Sequence, residues 1–217
     1  HYLKPLGYRV HLSGKTHIGP KSSFPFEYSG KRNPDFKAID QLLIESSRDG
    51  TPFCIFACSN EPHGPWNKGD ASQYDSSTIT LPPYFVDTKE TRENMVDYLA
   101  EITYFDGQVG ELLTLLDKHG IAGNTMVVVV SEQGSSFPFG KWTCYDTGLQ
   151  SACIVRWPGQ VKAGSVTDAM VEYVDIAPTF INAAGGTPKA GIDGVSFLPV
   201  LNGETHAHKR FVFGEMT

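Results

Sequence analysis

No apolar run in this chain approaches the ~18 residues that a membrane-crossing helix needs, so the sequence carries no membrane span. It has no basic tract of the kind that neutralises a phosphate backbone. Its formal net charge of −6 also runs against nucleic-acid binding. Cysteine is scarce: the four in 217 residues are irregularly spaced, with no C-x-x-C pair and no disulfide framework. Cys54 and Cys58 stand four apart, on one face of a helix or a strand alike, and are expected in the core. Charged residues make up 19% and hydrophobic residues 40%, a balance that excludes a disordered segment. What remains is a globular chain long enough for one domain with a sizeable core. No linker or internal repeat divides it. No signal peptide is visible, and a chain that begins inside a domain would show none.

Apolar and polar segments alternate along the sequence. Residues 35–48, with Ala38, Leu42 and Leu43 among the apolar positions, predict a helix closed at Asp49-Gly50. Residues 52–59 predict a strand, and 64–87, polar, Pro-containing and aperiodic, a long functional loop. Asp87-x-x-Glu90 has the spacing of a capping box. It opens a helix with Met95, Leu99, Ile102, Val109, Leu113 and Leu116 on one stripe, ended at His119-Gly120. Further strands are expected at 126–131, 152–157 and 211–214, and a helix over about 175–184. Such alternation implies an α/β fold with a mostly parallel sheet.

Thr125-Met126-Val127-Val128-Val129-Val130 has no polar interruption and reads as a central strand buried on both faces. Ser131-Glu132-Gln133-Gly134 follows directly, and Lys141 comes seven residues after Gly134. In open α/β sheets ligands gather beyond the carboxyl ends of the strands. An acid and an amide placed there, with Lys141 and Tyr145 shortly after, have the makings of a site for a hard cation and a bound anion. Glu132 alone would be an ordinary solvated loop acid. Three further polar clusters shift the balance: Gly14-Lys15-Thr16-His17-Ile18-Gly19, Asn60-Glu61-Pro62-His63-Gly64-Pro65-Trp66 after the apolar 53–58, and the segment 141–145 itself.

Taken in order, these segments resemble the type I sulfatases of the alkaline phosphatase superfamily. GYRVHLSGKTHIGP (7–20) resembles the family's GY…GKWHLG element, and SNEPHGPW (59–66) its PH-x-P histidine loop. VVVVSEQG (127–134) resembles the strand ending in Asp-Asn-Gly or Asp-His-Gly, and KWTCYDTGLQSACIVRWPG (141–159) the K-x-x-x-Y-x-x-G…WPG segment. VDIAPTFINAAGGTPKAGIDGVSFLPVLNGE (174–204) resembles the D-[IL]-x-P-T…DG-x-S-[FL] run. The Ser-Glu-Gln-Gly version is similar to bacterial relatives of the heparan N-sulfatase (sulfamidase) type. The resemblance implies an alkaline-phosphatase-like α/β sandwich, a central mostly parallel sheet flanked by helices. It also implies that residues 1–217 are one partial catalytic domain. The family's C/S-x-P-S/A-x-R nucleophile motif precedes the GKWHLG element, as does an Asp-Asp metal pair. Neither is found here: none of the four cysteines is followed by that pattern, and the chain has no Asp-Asp dipeptide.

By the same resemblance, Glu132 and Gln133 are expected to ligate calcium, which prefers carboxylate and carbonyl oxygens. Each is one methylene longer than the family's usual residue. Lys15, His17, His63 and Lys141 map onto positions around the sulfate: His17 towards the formylglycine, His63 and Lys141 towards the sulfate and leaving group. Trp66 and Lys68 are candidates for substrate contacts beyond the sulfate, since aromatic and cationic groups suit a sulfated sugar. Tyr145 fits the site or the core equally. Asp106 is expected to be a buried structural acid. His1, His11, His119, His206 and His208 read as surface or helix-end residues.

The expected activity is calcium-dependent hydrolysis of a sulfate ester or N-sulfate of a carbohydrate. Alternatives are a phosphoester or phosphonate hydrolase of the same superfamily, or a catalytically silent fragment. A carbohydrate-binding module would need none of the metal-type residues. Relatives of this kind are exported to the periplasm, the cell exterior or the lysosome, and the same is expected here.

Overall fold

The sheet that positions the early motifs is built on β1 (Arg9–Gly14), every residue of which from Val10 onward is buried. The computed structural model describes residues 2–214. β1 lies between β2 (Glu27–Ser29) and β3 (Phe53–Cys58), parallel to both, with Ser13 opposite Ser29 on one side and Ala57 on the other. Its period of two sends Val10 and Leu12 to one face and His11 and Ser13 to the other. The polar face is paired internally except at His11 Nδ1, which has no partner among the described residues. Ser29 Oγ donates to Ser13 Oγ at 2.8 Å, the Asp35 backbone N–H donates to the same oxygen at 2.7 Å, and His11 Nε2 lies 2.7 Å from Ser29 Oγ. His11 is therefore a buried strand residue rather than a surface one, and burial lowers its pKa against the opposing pull of Glu27 and Asp35.

Asp35 caps α1 (Phe36–Asp49), its side chain accepting from the Ala38 N–H at 3.1 Å. Ile39, Leu42 and Leu43 of α1 form a core with Leu116, against which Phe53 and Ile55 of β3 pack. A second core joins Leu3, Val10 and Ile181, with Cys54 packed against it. Burial there pushes the Cys54 thiol up to about 11, which removes it as a nucleophile.

The long helix α2 (Lys89–Lys118) starts differently from the expected capping box. Thr88, not Asp87, is its cap, accepting from the Thr91 N–H at 3.1 Å. Asp87 instead takes the guanidinium of Arg92 on both oxygens, at 2.6 and 2.8 Å. A fork of charged donors outcompetes one backbone N–H for that carboxylate. Met95 and Leu116 are buried as expected, but Ile102 and Asp106 are exposed. The buried acid of this helix is Glu101, because its face is turned towards the loop that follows β3. At the far end His119 and Lys118 share the carboxylate of Asp40, at 2.6 and 2.7 Å, clamping α2 to α1.

β4 (Val127–Val130) pairs antiparallel with β5 (Cys153–Arg156), Val127 opposite Arg156. Each valine is half-buried. Among the described residues β4 has no second neighbour, so it is not the two-sided central strand that its composition suggests. A valine run reports apolar environment; it does not report which strand pairs with it.

After the short α3 (Asp146–Leu149), a single turn at Tyr173–Asp175 leads into α4 (Ile176–Ala183). Asp175 has no exposed surface. It accepts backbone N–H groups from Val195 (2.8 Å) and Glu172 (2.9 Å), with Lys209 Nζ at 2.7 Å and His208 Nε2 at 3.1 Å. Thr179 Oγ1 donates to the Asp175 carbonyl and accepts from the Phe197 N–H. His208 is thus an internal partner of Asp175, not a surface histidine, whereas His206 is exposed as expected. His1 lies outside the described residues. The strand expected at 211–214 does not form. Phe211 and Phe213 are largely exposed, and the only pairing nearby among the described residues is an isolated bridge between Met170 and Lys209. No helix is long and apolar enough to cross a membrane among the described residues.

Candidate functional site

Because β1 and β3 run parallel, both deliver their carboxyl ends to one edge of the sheet. Gly14 closes β1 at φ +107°, and a Cβ there would lie 2.1 Å from the Cys58 carbonyl oxygen, so only glycine allows the two ends to meet. The Lys15 N–H then donates to that same oxygen at 2.9 Å. Lys15, half-buried, and His17, exposed, leave β1 where residues 59–63 leave β3.

The histidine loop is held from behind. Asn33 Oδ1 accepts from Ser59 Oγ and the Asn60 N–H, both at 3.0 Å, while Asn33 Nδ2 and Asn60 Nδ2 donate to the two oxygens of buried Glu61, at 3.1 and 2.7 Å. Glu61 is thereby consumed as a brace. His63 Nδ1 lies 2.7 Å from the Gly64 carbonyl oxygen. A carbonyl can only accept, so Nδ1 carries a proton and Nε2 is left free to face a ligand.

Further along, the loop crosses α2 on a residue that the sequence did not single out. Glu101 Oε1 accepts the N–H groups of Asn67 (2.7 Å) and Lys68 (3.2 Å), while Oε2 has no partner among the described residues. Gly69, at φ +76°, lets the chain pass: a Cβ there would be 2.2 Å from the Ala100 carbonyl oxygen. The Lys68 side chain is left exposed. The only signal in the sequence was an acid set between Ala100 and Ile102. Glu101→Ala is expected to cost about 1–3 kcal/mol, the scale of orphaning paired donors, seen as a lower urea midpoint. Glu101→Gln keeps an acceptor oxygen and should lose less than half as much; equal losses would rule out the acceptor role.

Trp66 is committed to packing. It stacks on Phe137 at 4.7 Å and 24°, with Tyr98 of α2 edge-on at 5.4 Å, so its half-buried ring is held in place by these two neighbours. Phe137 belongs to the segment after β4, so this stack draws the loops after β3 and β4 together. That second loop folds back on itself: the Gly134 N–H donates to the Gly148 carbonyl at 3.1 Å and the Lys141 N–H to the Ser135 carbonyl at 2.7 Å. Lys141 is in this way returned to the end of β4, where Glu132 is exposed and Gln133 half-buried. Tyr145 is 61% exposed and lies outside the core.

The candidate residues thus fall into two groups, Lys15, His17 and His63 on the β1/β3 edge and Glu132, Gln133, Lys141 and Tyr145 after β4, joined through Trp66 and Phe137. No side-chain hydrogen bond or ion pair links Lys15, His17, His63, Lys141, Glu132 and Gln133 to one another, and no cluster of three or more His, Cys, Asp or Glu could hold a metal, among the described residues. Glu132 and Gln133 are hard oxygen donors of the kind calcium takes, but two such residues fall short of its usual six to eight oxygens.

The Sulfatase family model matches residues 1–186. The chain is 31% identical over 226 residues to an ulvan-active sulfatase of Formosa agariphila, covering 100% of this chain and 44% of that protein. It is 23% identical over 246 residues to human N-sulphoglucosamine sulphohydrolase, covering 93% of this chain and 49% of that one. It therefore spans about half the length of these relatives. Among solved structures, BT4656 in complex with its substrate D-glucosamine-2-N,6-O-disulfate superposes with a TM-score of 0.72 at 21% identity, over 96% of this chain and 65% of that one. The phosphonate monoester hydrolase SpPMH from Silicibacter pomeroyi superposes with a TM-score of 0.63 at 23% identity, over 79% of this chain and 42% of that one. Both structures share the alkaline-phosphatase-like fold, and the family match over 1–186 settles membership: this chain belongs to the sulfatase family.

Proposed function

We propose that this chain is part of a hydrolase that cleaves sulfate esters or N-sulfates of a carbohydrate. The observation that carries the reading is the sulfatase family match over residues 1–186, and the cations in the loops after β1, β3 and β4 are in keeping with it. Lys15, Lys68 and Lys141 make no ion pair among the described residues, although a chain of net charge −6 offers carboxylates in plenty. Lysines without a carboxylate partner suit an anion with several terminal oxygens. The named substrates of the relatives, ulvan and N-sulphoglucosamine among them, support a sulfated glycan.

The roles follow from the family resemblance. Lys15 and Lys141 hold sulfate oxygens, and Lys68 reaches outward to further anionic groups of the chain. As the S–O bond breaks, charge grows on the leaving oxygen, and His63, once protonated at Nε2, hands that proton to it. His17 orients the family's formylglycine nucleophile. That nucleophile is not supplied by Cys54, Cys58, Cys144 or Cys153, whose neighbours do not fit the motif. Glu132 and Gln133 hold one side of a calcium ion, which when bound adds positive charge beside the sulfate. Export from the cytoplasm accompanies this reading.

The test is an aryl sulfate assay on two polypeptides. This 217-residue chain alone should show no turnover and only weak calcium binding, whereas the complete polypeptide should hydrolyse the ester. Robust turnover by the 217 residues alone would overturn the assignment of the nucleophile. The second reading, a phosphonate or phosphoester hydrolase, is favoured by the shared fold of SpPMH. An aryl phosphonate monoester cleaved faster than the sulfate would establish it instead.

A further inference from the structure

The segment that carries Lys141 also lines a hollow that none of the roles above uses. It has a volume of about 600 Å³ and is lined by Tyr84, Phe139, Cys144, Tyr145, Asp146 and Thr147. That is within the range of small-ligand sites. Three aromatic rings surround it in a braced chain: Tyr84 meets Phe139 edge-to-face at 5.8 Å and 89°, and Phe139 meets Tyr145 at 5.8 Å and 75°. Such pairs fix ring orientation. The rings nevertheless stay open to solvent, Tyr84 at 44% and Phe139 at 50%.

Phe139 is held there against its own backbone preference. Its φ is +64°, a left-handed conformation that is uncommon for a bulky residue and persists only where the surroundings enforce it. The enforcement is visible. The Phe139 carbonyl accepts the hydroxyls of both Thr143 and Thr147, and a Cβ on the adjacent Gly140 would sit 2.2 Å from the Ser135 carbonyl oxygen. The chain therefore bends sharply and turns an apolar ring outward, two residues before Lys141.

We infer that this hollow is a subsite for a second sugar ring of the substrate, next to the sulfated one. A pyranose has a C–H face that lies against an aromatic ring, and a rim of hydroxyls that needs polar partners. The hollow offers both: three aromatic rings, with the exposed Asp146 carboxylate and Thr147 at its side. Position along the chain sets the occupant: the lining flanks Lys141, at Phe139 on one side and at residues 144–147 on the other. A sugar whose sulfate lies at Lys141 places its glycosidic neighbour within reach of Phe139. An apolar protein segment would leave Asp146 without a partner, and a highly sulfated sugar would be repelled by it, so the ring taken here is one without a sulfate of its own.

The inference rests on the sulfated-glycan reading, and one experiment separates the two. With the complete polypeptide, Phe139→Ala and Tyr84→Ala should each raise KM for a sulfated oligosaccharide by about 5- to 10-fold, the scale of one lost aromatic contact, with kcat little changed. An aryl sulfate, which has no second ring, should show less than a twofold change. Equal losses on both substrates would mean that the rings serve only the fold, and no loss on either that the hollow is unused; both outcomes overturn the subsite. If Phe139→Ala fails to fold, Tyr84→Ala, in the long loop, decides the matter. If the wild-type polypeptide cleaves no sulfate ester, the proposed function falls. Calorimetric binding of the unsulfated oligosaccharide, wild type against Tyr84→Ala, then judges the subsite: an equal or absent affinity rejects it.

Discussion

Asp175→Ala is expected to lower stability by about 3–5 kcal/mol, the scale of removing one member of a buried charged pair, out of a total near 5–15 kcal/mol for a domain. The substitution leaves Lys209 Nζ, 2.7 Å away, with Glu172 at 3.0 Å as its remaining carboxylate, and frees the Val195 and Glu172 N–H groups. Asp175→Asn keeps the shape and one acceptor oxygen and should cost less. Urea unfolding followed by circular dichroism measures both, and an Ala variant within 1 kcal/mol of wild type would remove Asp175 from its central place. The pH dependence has a defined sign. Burial works to raise the Asp175 pKa, but Lys209, the Val195 and Glu172 N–H groups and His208 outweigh it, so the folded value lies below the ordinary one. Its contribution is then fully present above the unfolded aspartate pKa of about 3.9 and is lost as pH falls through the lower folded value.

The second large effect is catalytic and belongs to the complete polypeptide. His63→Ala and Lys141→Ala are each expected to slow hydrolysis by about 100-fold or more, as for one lost preorganised electrostatic contact. They should differ in which substrates suffer. With Nδ1 spent on the Gly64 carbonyl, His63 offers one proton at Nε2. Its loss should hurt alkyl sulfates, with poor leaving groups, more than aryl sulfates, whose phenoxide departs with little help. In its proposed role Lys141 acts through charge beside the sulfate, so its loss should hurt both. A leaving-group series of sulfate esters, compared by kcat/KM, reads the difference. Either variant close to wild type on both classes would take that residue out of the site.

Much of this was legible because it depends on local chemistry. Asp35 and Gly50 bound α1, and the Gly14-Lys15 and His63 segments leave parallel strands at one edge, as the alternation of apolar and polar runs implies. What was not legible depends on partners distant in sequence. The pattern at 87–90 fits a capping box, yet Asp87 is claimed by Arg92, whose guanidinium also reaches the Ser76 and Ile79 carbonyls. Asp106 reads as a buried acid by resemblance, but helix phase gives that place to Glu101, because the loop at 67–68 needs an acceptor there. His11 and His208 have nothing beside them in sequence to mark them as buried; Ser29 and Asp175 lie 18 and 33 residues away. The valine run at 127–130 promises an interior strand, and only the pairing with Cys153–Arg156 shows which neighbour it has.

The arrangement around Asp175 also bears on the order in which the chain can reach its final form. Its side-chain partners His208 and Lys209 follow it by 33 and 34 residues. During synthesis, at roughly 5–20 residues per second, α4 can wind as soon as it emerges, but the carboxylate at its head has no counter-charge for the seconds that separate it from residue 209. A charge left without a partner is disfavoured in an apolar interior, so the Leu3–Val10–Ile181 core cannot close firmly over that end of α4 beforehand. Residues 205–214, irregular and without a strand of their own, are in this sense the latch: consolidation of this half of the molecule waits for them.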